Sequence, residues 1–234
     1  LAFGGQNPSP TAQTESWNGT NWTETADLAT ARTQIGGTAA SNSSGLAFGG
    51  NAPPLTAATE EFNTGVAGGS WATGGSLNTA RFWLGSAGTQ TSALAFGGNP
   101  PRVAITEAYN GTNWTEVNDL NTARRQLKGA GATNTAALAF GGESPGVENE
   151  AITEIWNGTN WTEVADLNTG RYNMGSAGAT NTAALAFGGA GDPSLAVTET
   201  WNGTNWTEVN DLNTARFALG GAGTNTAALA FGGY

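Results

Sequence analysis

The sequence predicts an all-β fold: a five-bladed β-propeller with four antiparallel strands per blade, one domain spanning residues 1–234. Three observations carry this. The word LAFGG recurs at Leu1, Leu46, Leu94, Leu138, Leu185 and Leu229, with spacings of 45, 48, 44, 47 and 44 residues, a period characteristic of propeller blades. Each period is made of short alternating segments punctuated by turn residues, the pattern of antiparallel strands. Asn-Gly separates two aromatic-bearing runs at Asn18, Asn110, Asn157 and Asn202, the strongest short hairpin signal because both residues accept positive φ.

The elements follow in order within one period. After Arg216, FALGGAGT is rich in small residues and suits an innermost strand, where blades crowd about an axis. TNT turns the chain, and AALAFGG alternates Leu229 and Phe231 with Ala228 and Ala230 as the second strand. VTETWNG and NWTEVNDL are the third and fourth. In the hairpin ESWNGTNWTE, a two-residue loop pairs Trp17 with Thr20 and a four-residue loop pairs Trp17 with Trp22. Either register puts Trp17 and Trp22 on one face, close enough to pack. The pair recurs as Tyr109/Trp114, Trp156/Trp161 and Trp201/Trp206, whereas the second period carries Phe62 and a displaced Trp71 after a longer loop.

These residues resemble the kelch repeat: a double Gly ending one strand (Gly49–Gly50), an aromatic ending the next (Trp17), a Trp opening the fourth (Trp22) and an Arg after the following turn (Arg32). The likeness runs along the whole chain. The near-identity of the copies also resembles repeat proteins of marine bacteriophages. The resemblance implies a propeller used for interaction or glycan binding. Some kelch propellers are copper-radical oxidases that need Cys, Tyr and His at the metal; this chain has neither Cys nor His, so that activity does not carry over.

The repeats start near residues 1, 46, 94, 138 and 185, leaving 229–234 as a closing strand. Third-and-fourth strand pairs and first-and-second pairs each occur five times, so one copy of the second strand is surplus. The expectation is that the C-terminal pair joins the N-terminal pair in one shared blade, because the short TNT hairpin delivers 229–233 beside its partner. Leu1–Gly5 would then be spare, free to join a neighbouring molecule in a homo-oligomer.

Composition narrows the function. Net charge is -10, which argues against a nucleic-acid partner. No apolar run reaches membrane-spanning length, so membrane insertion is not expected. Without Cys or His the chain lacks the usual thiol nucleophile, proton shuttle and commonest metal ligand. No enzyme activity, cofactor or metal is expected. Asp27, Asp119, Asp166 and Asp211 end fourth strands but form no acid-dense loop, and turn chemistry accounts for them. Asn18, Asn21, Asn110 and Asn113 match the glycosylation triplet, and again read as turn residues.

Two sets of residues recur in every blade: Glu15, Glu60, Glu107, Glu154 and Glu199, and Arg32, Arg81, Arg124, Arg171 and Arg216. A catalytic site is one constellation, whereas a fold determinant recurs, so these read as a repeated ion pair. The paired Trp residues read as packing by the same reasoning. Recognition is expected where copies differ. One variable set is the loop from second to third strand. The other is the two residues after each Arg: Thr33–Gln34, Phe82–Trp83, Arg125–Gln126, Tyr172–Asn173 and Phe217–Ala218. Both lie at one end of an antiparallel blade, where rings can stack and amides can bind hydroxyls. The predicted partner is a glycan or a protein held on this face, in an extracellular or virion-associated setting, with a purely structural virion element as the alternative.

Overall fold

The computed structural model describes residues 1–65, 68–191 and 193–234. The chain starts with β1 (Ala2–Phe3), β2 (Thr14–Trp17) and β3 (Trp22–Glu24), a three-stranded sheet. Four complete four-stranded blades follow. They are β4 (Gly36–Ser41), β5 (Ser44–Phe48), β6 (Thr59–Asn63) and β7 (Ser70–Gly74); then β8 (Gly85–Thr89), β9 (Ser92–Phe96), β10 (Thr106–Tyr109) and β11 (Trp114–Val117). Next come β12 (Lys128–Thr133), β13 (Ala136–Phe140), β14 (Thr153–Trp156) and β15 (Trp161–Val164), then β16 (Gly175–Thr180), β17 (Ala183–Phe187), β18 (Thr198–Trp201) and β19 (Trp206–Val209). The last pair, β20 (Leu219–Gly223) and β21 (Ala228–Gly232), forms a two-stranded sheet. The fold is thus an all-β, five-bladed antiparallel propeller with a two-stranded sheet at its seam.

The hairpin takes the four-residue loop: Trp17 faces Trp22, Tyr109 faces Trp114, Trp156 faces Trp161 and Trp201 faces Trp206. Asn18 Oδ1 caps that loop by accepting the N–H groups of Thr20 and Asn21 at 2.8 and 2.9 Å. The displaced Trp71 still pairs with Phe62; within its longer loop, Val66 and Ala67 lie outside the described residues.

One aromatic contact joins each complete blade to the complete blade that follows it. The Phe of a second strand packs on the fourth-strand Trp of the following blade: Phe48 on Trp114 at 4.8 Å, Phe96 on Trp161 at 5.0 Å and Phe140 on Trp206 at 5.0 Å. The same indoles donate back across the junction, Trp114 to Thr59 Oγ1 at 3.0 Å and Trp161 to Thr106 Oγ1 at 3.1 Å. A buried Trp therefore has its one polar atom satisfied, which lets a large apolar ring fill the space without a desolvated donor.

The seam corrects the expected closure. Leu1–Gly5 is not spare: Ala2 pairs with Glu15 and Phe3 with Thr14, the register that Ala47–Glu60 and Phe48–Thr59 adopt in a complete blade. The C-terminal copy instead stays with β20 as a separate sheet. Phe231 packs on Trp22 at 5.2 Å, so the seam is closed by side-chain packing rather than by pairing of the terminal strands. Identical words compete for one slot, and chain connectivity decides. Joining Phe3 to Thr14 closes a loop of about 10 residues, against about 200 for the C-terminal copy, a difference of roughly 2.7 kcal/mol in closure entropy. Leu229, Phe231, Trp17 and Trp22 are in consequence only partly buried, whereas Leu46 and Phe48 are at 0% exposure.

Candidate ligand-binding face

The first variable residue of each blade is held by a two-way backbone bridge to the residue after the double Gly. Thr33 bridges Asn51, Phe82 bridges Asn99, Arg125 bridges Glu143 and Tyr172 bridges Ala190. Phe217 exchanges backbone hydrogen bonds with Tyr234, and their rings lie 5.7 Å apart. Both variable sets therefore meet at one end of the blades.

The second variable residue has a geometry that its sequence does not announce. Gln34, Trp83, Gln126, Asn173 and Ala218 all take left-handed backbone conformations, with φ of 57, 56, 58, 50 and 55°. They are joined across the blade junctions by a chain of backbone bonds. Trp83 N–H donates to the Gln34 carbonyl at 3.1 Å, Gln126 to Trp83 at 2.7 Å, Asn173 to Gln126 at 3.1 Å and Ala218 to Asn173 at 2.8 Å. Left-handed backbone costs a residue with a Cβ of order 1 kcal/mol, most for bulky side chains, and Gly would avoid it. Five side chains are kept at this rim against that cost.

The rim holds orphaned polar atoms. Gln34 Oε1 and Gln126 Oε1 are buried without a hydrogen-bond partner among the described residues, and Gln126 is 8% exposed. An unpaired buried amide costs free energy unless a ligand or water pairs with it. Beside them, Phe82 and Trp83 pack at 4.8 Å, and the Arg125 guanidinium lies 4.9 Å from the Trp83 ring centre. Arg125 and Arg102 share the carboxylate of Glu143 at 2.7 and 2.8 Å, and Arg102 also donates to the Ser144 carbonyl at 2.6 Å. Sequence reading missed this cluster; opposite charges in neighbouring variable loops were the available signal.

The recurrent Arg and Glu residues lie elsewhere, inside the blades. Arg32–Glu60, Arg81–Glu107, Arg124–Glu154 and Arg171–Glu199 are ion pairs of 2.7, 3.1, 2.8 and 3.1 Å, with every partner at 5% exposure or less. Each guanidinium also reaches carbonyls that flank the second-to-third loop: Arg124 donates to Gly141 and Ile152 at 2.9 and 2.7 Å. Burial lowers the Arg124 pKa from its ordinary value, and Glu154 opposes that shift. The seam splits the fifth set. Arg216 has only the carbonyls of Gly232 and Ala230, at 3.0 and 3.4 Å, and Glu15 has no cation among the described residues. Asp27, Asp119, Asp166 and Asp211 each accept a third-strand backbone N–H, at 3.0 to 3.1 Å. Among the described residues no three His, Cys, Asp or Glu side chains gather as a metal site would require.

No family model and no curated protein matches this chain.

Proposed function

We propose that the protein is a non-catalytic recognition module of kelch type that binds a glycan or a surface protein at the rim of left-handed residues. The observation that carries this reading is the retention of Gln34, Trp83, Gln126 and Asn173 at φ between 50 and 58°, where Gly would cost less. A fold determinant is repeated from blade to blade, but here the backbone repeats while the side chain changes, the arrangement expected of a site that reads a ligand. Stacking rings at Phe82, Trp83 and Tyr172, with unpaired amides at Gln34 and Gln126, suit sugar hydroxyls above an apolar face. An extracellular or virion-associated setting, as in the bacteriophage proteins it resembles, agrees with such a ligand.

A glycan array followed by calorimetry tests the reading. Saturable binding that Trp83→Ala and Tyr172→Ala each weaken by about fivefold or more supports it, the range of one lost stacked aromatic. Binding that persists unchanged in both variants refutes it. A second reading, a virion assembly element, is favoured by one feature: among the described residues β21 pairs with β20 alone and leaves its other edge open. Such an edge can accept a strand from a second copy, and concentration-dependent sedimentation would show the oligomer.

A further inference from the structure

The five inner strands β4, β8, β12, β16 and β20 stand side by side and enclose a cavity of about 970 Å³, lined mainly by Gly, Ala and Ser and open toward Trp17 and Trp22 at the seam. Lys128 is the one charged side chain in this lining. It is also the only lysine of the chain. The other cationic side chains are all compensated. Four arginines pair with buried glutamates, Arg102 and Arg125 share Glu143, and Arg216 binds two carbonyls. Lys128 has no ion-pair or hydrogen-bond partner among the described residues.

Its position is also the wrong one for a space-filling side chain. Lys128 pairs with Phe140; the residues in that register elsewhere are Gly36, Gly85, Gly175 and Gly220, opposite Phe48, Phe96, Phe187 and Phe231. A Cβ at Gly36 would stand 2.5 Å from the Phe48 ring, and the other three would crowd their Phe partners as closely. The third blade instead carries a half-buried ammonium at this position, whose pKa burial lowers with no carboxylate to offset it. A second group in the lining awaits a partner: Thr38 Oγ1 is buried, at 8% exposure for the residue, with no hydrogen bond.

We propose that the central cavity binds a small hydroxylated carboxylate, with the carboxylate on Lys128, a hydroxyl on Thr38 and the carbon framework against the partly exposed faces of Trp17 and Trp22. One ammonium without an Arg fork matches a single carboxylate better than a phosphate, which recruits several donors. The absence of acidic side chains from the lining leaves that field unopposed. This inference concerns the interior and stands whether or not the rim binds a ligand.

Because Lys128 is the only lysine, reductive ¹³C-methylation gives one lysine resonance that reports on this cavity, assigned by its loss in Lys128→Met. The probe is D-glucuronate, with D-glucose as the neutral control and sodium chloride at equal ionic strength as the screening control. The expected result is a saturable shift with glucuronate only, and calorimetric affinity about tenfold or more weaker in Lys128→Met, the range of one charge-assisted hydrogen bond. Lys128→Gly restores the residue of the other four blades, folds for that reason, and should show the same loss. Trp83→Gly, at the rim, should leave the response intact. A resonance that moves no more with glucuronate than with glucose or chloride overturns the proposal, as does equal affinity in Lys128→Met.

Discussion

The ion pair inside each blade makes a quantitative prediction because the seam supplies its own control. In Glu154→Ala the Arg124 guanidinium keeps its carbonyl bonds to Gly141 and Ile152 but loses the carboxylate at 2.8 Å, and both partners are at 0% exposure. The backbone and side-chain N–H groups of Asn121, which donate to the same carboxylate at 2.7 and 2.8 Å, are stranded as well. Breaking a buried pair by removing one member costs about 3–5 kcal/mol. For 234 residues the unfolding entropy is roughly 0.5 kcal/mol/K, so Tm should fall by about 6–10 °C. Arg124→Met should cost a similar amount, since it leaves Glu154 charged and buried. Arg216→Met removes the same residue type where no carboxylate is paired, and should cost about 1 kcal/mol, or ~2 °C. Differential scanning calorimetry of the three variants decides. If Arg216→Met lowers Tm as much as Arg124→Met, Arg216 has a carboxylate partner in solution, Glu15 being the one left over, and the seam described above is wrong.

Three further outcomes are expected. Deleting Leu1–Gly5 removes Phe3 from Trp71, 5.1 Å away, and should cost about 3 kcal/mol by denaturant unfolding; a loss near zero would mean that 229–233 has moved into the vacated slot. Tyr109 donates to Glu61 at 2.5 Å, and burial first, then Glu61, raises its phenol pKa above the ordinary 10.0. Above pH 10 the unfolded chain binds fewer protons than the folded one, so this group's contribution is complete below pH 10 and is lost as pH rises beyond it. Alkaline melts of Tyr109→Phe should lack that slope, and an unchanged slope would place the titration elsewhere. Trp83→Gly relieves a left-handed backbone at φ 56° and should change stability by no more than about 1 kcal/mol while weakening ligand binding by about fivefold or more; a Tm drop of many degrees would show that Trp83 is a packing residue.

What the sequence made legible is what it repeats. The double Gly, the paired aromatics and the Arg–Glu set recur at matched spacing, and a local signal repeated in every blade outweighs the ambiguity of any one copy. The rim was legible only as a position. Gln34, Trp83 and Gln126 carry no turn signature, because their left-handed conformation is imposed by hydrogen bonds to the neighbouring blade. Local propensity does not encode that kind of tertiary constraint. The seam failed for the opposite reason. Leu1–Gly5 and Leu229–Gly233 are the same word, so their local preferences are equal and only loop length separates them.

A chain of near-identical blades sorts its own residues. Where Gly85 and Gly175 sit opposite a Phe ring, the inner strand has met the packing demand, and Lys128 in the same register departs from it and sets an unpaired ammonium there. Where the rim backbone asks for Gly, Trp83 and Gln126 depart from it as well. In a unique fold such costs could be compensated by unrecognised neighbours. Here most neighbours recur, Phe140 standing where Phe48 and Phe96 stand while Met174 takes the place of Leu84 and Leu127, so the comparison is internal. Both departures border the axis, one at its mouth and one in its wall. The strand framework can therefore be uniform, because the residues that break its pattern are gathered at the one place every blade shares.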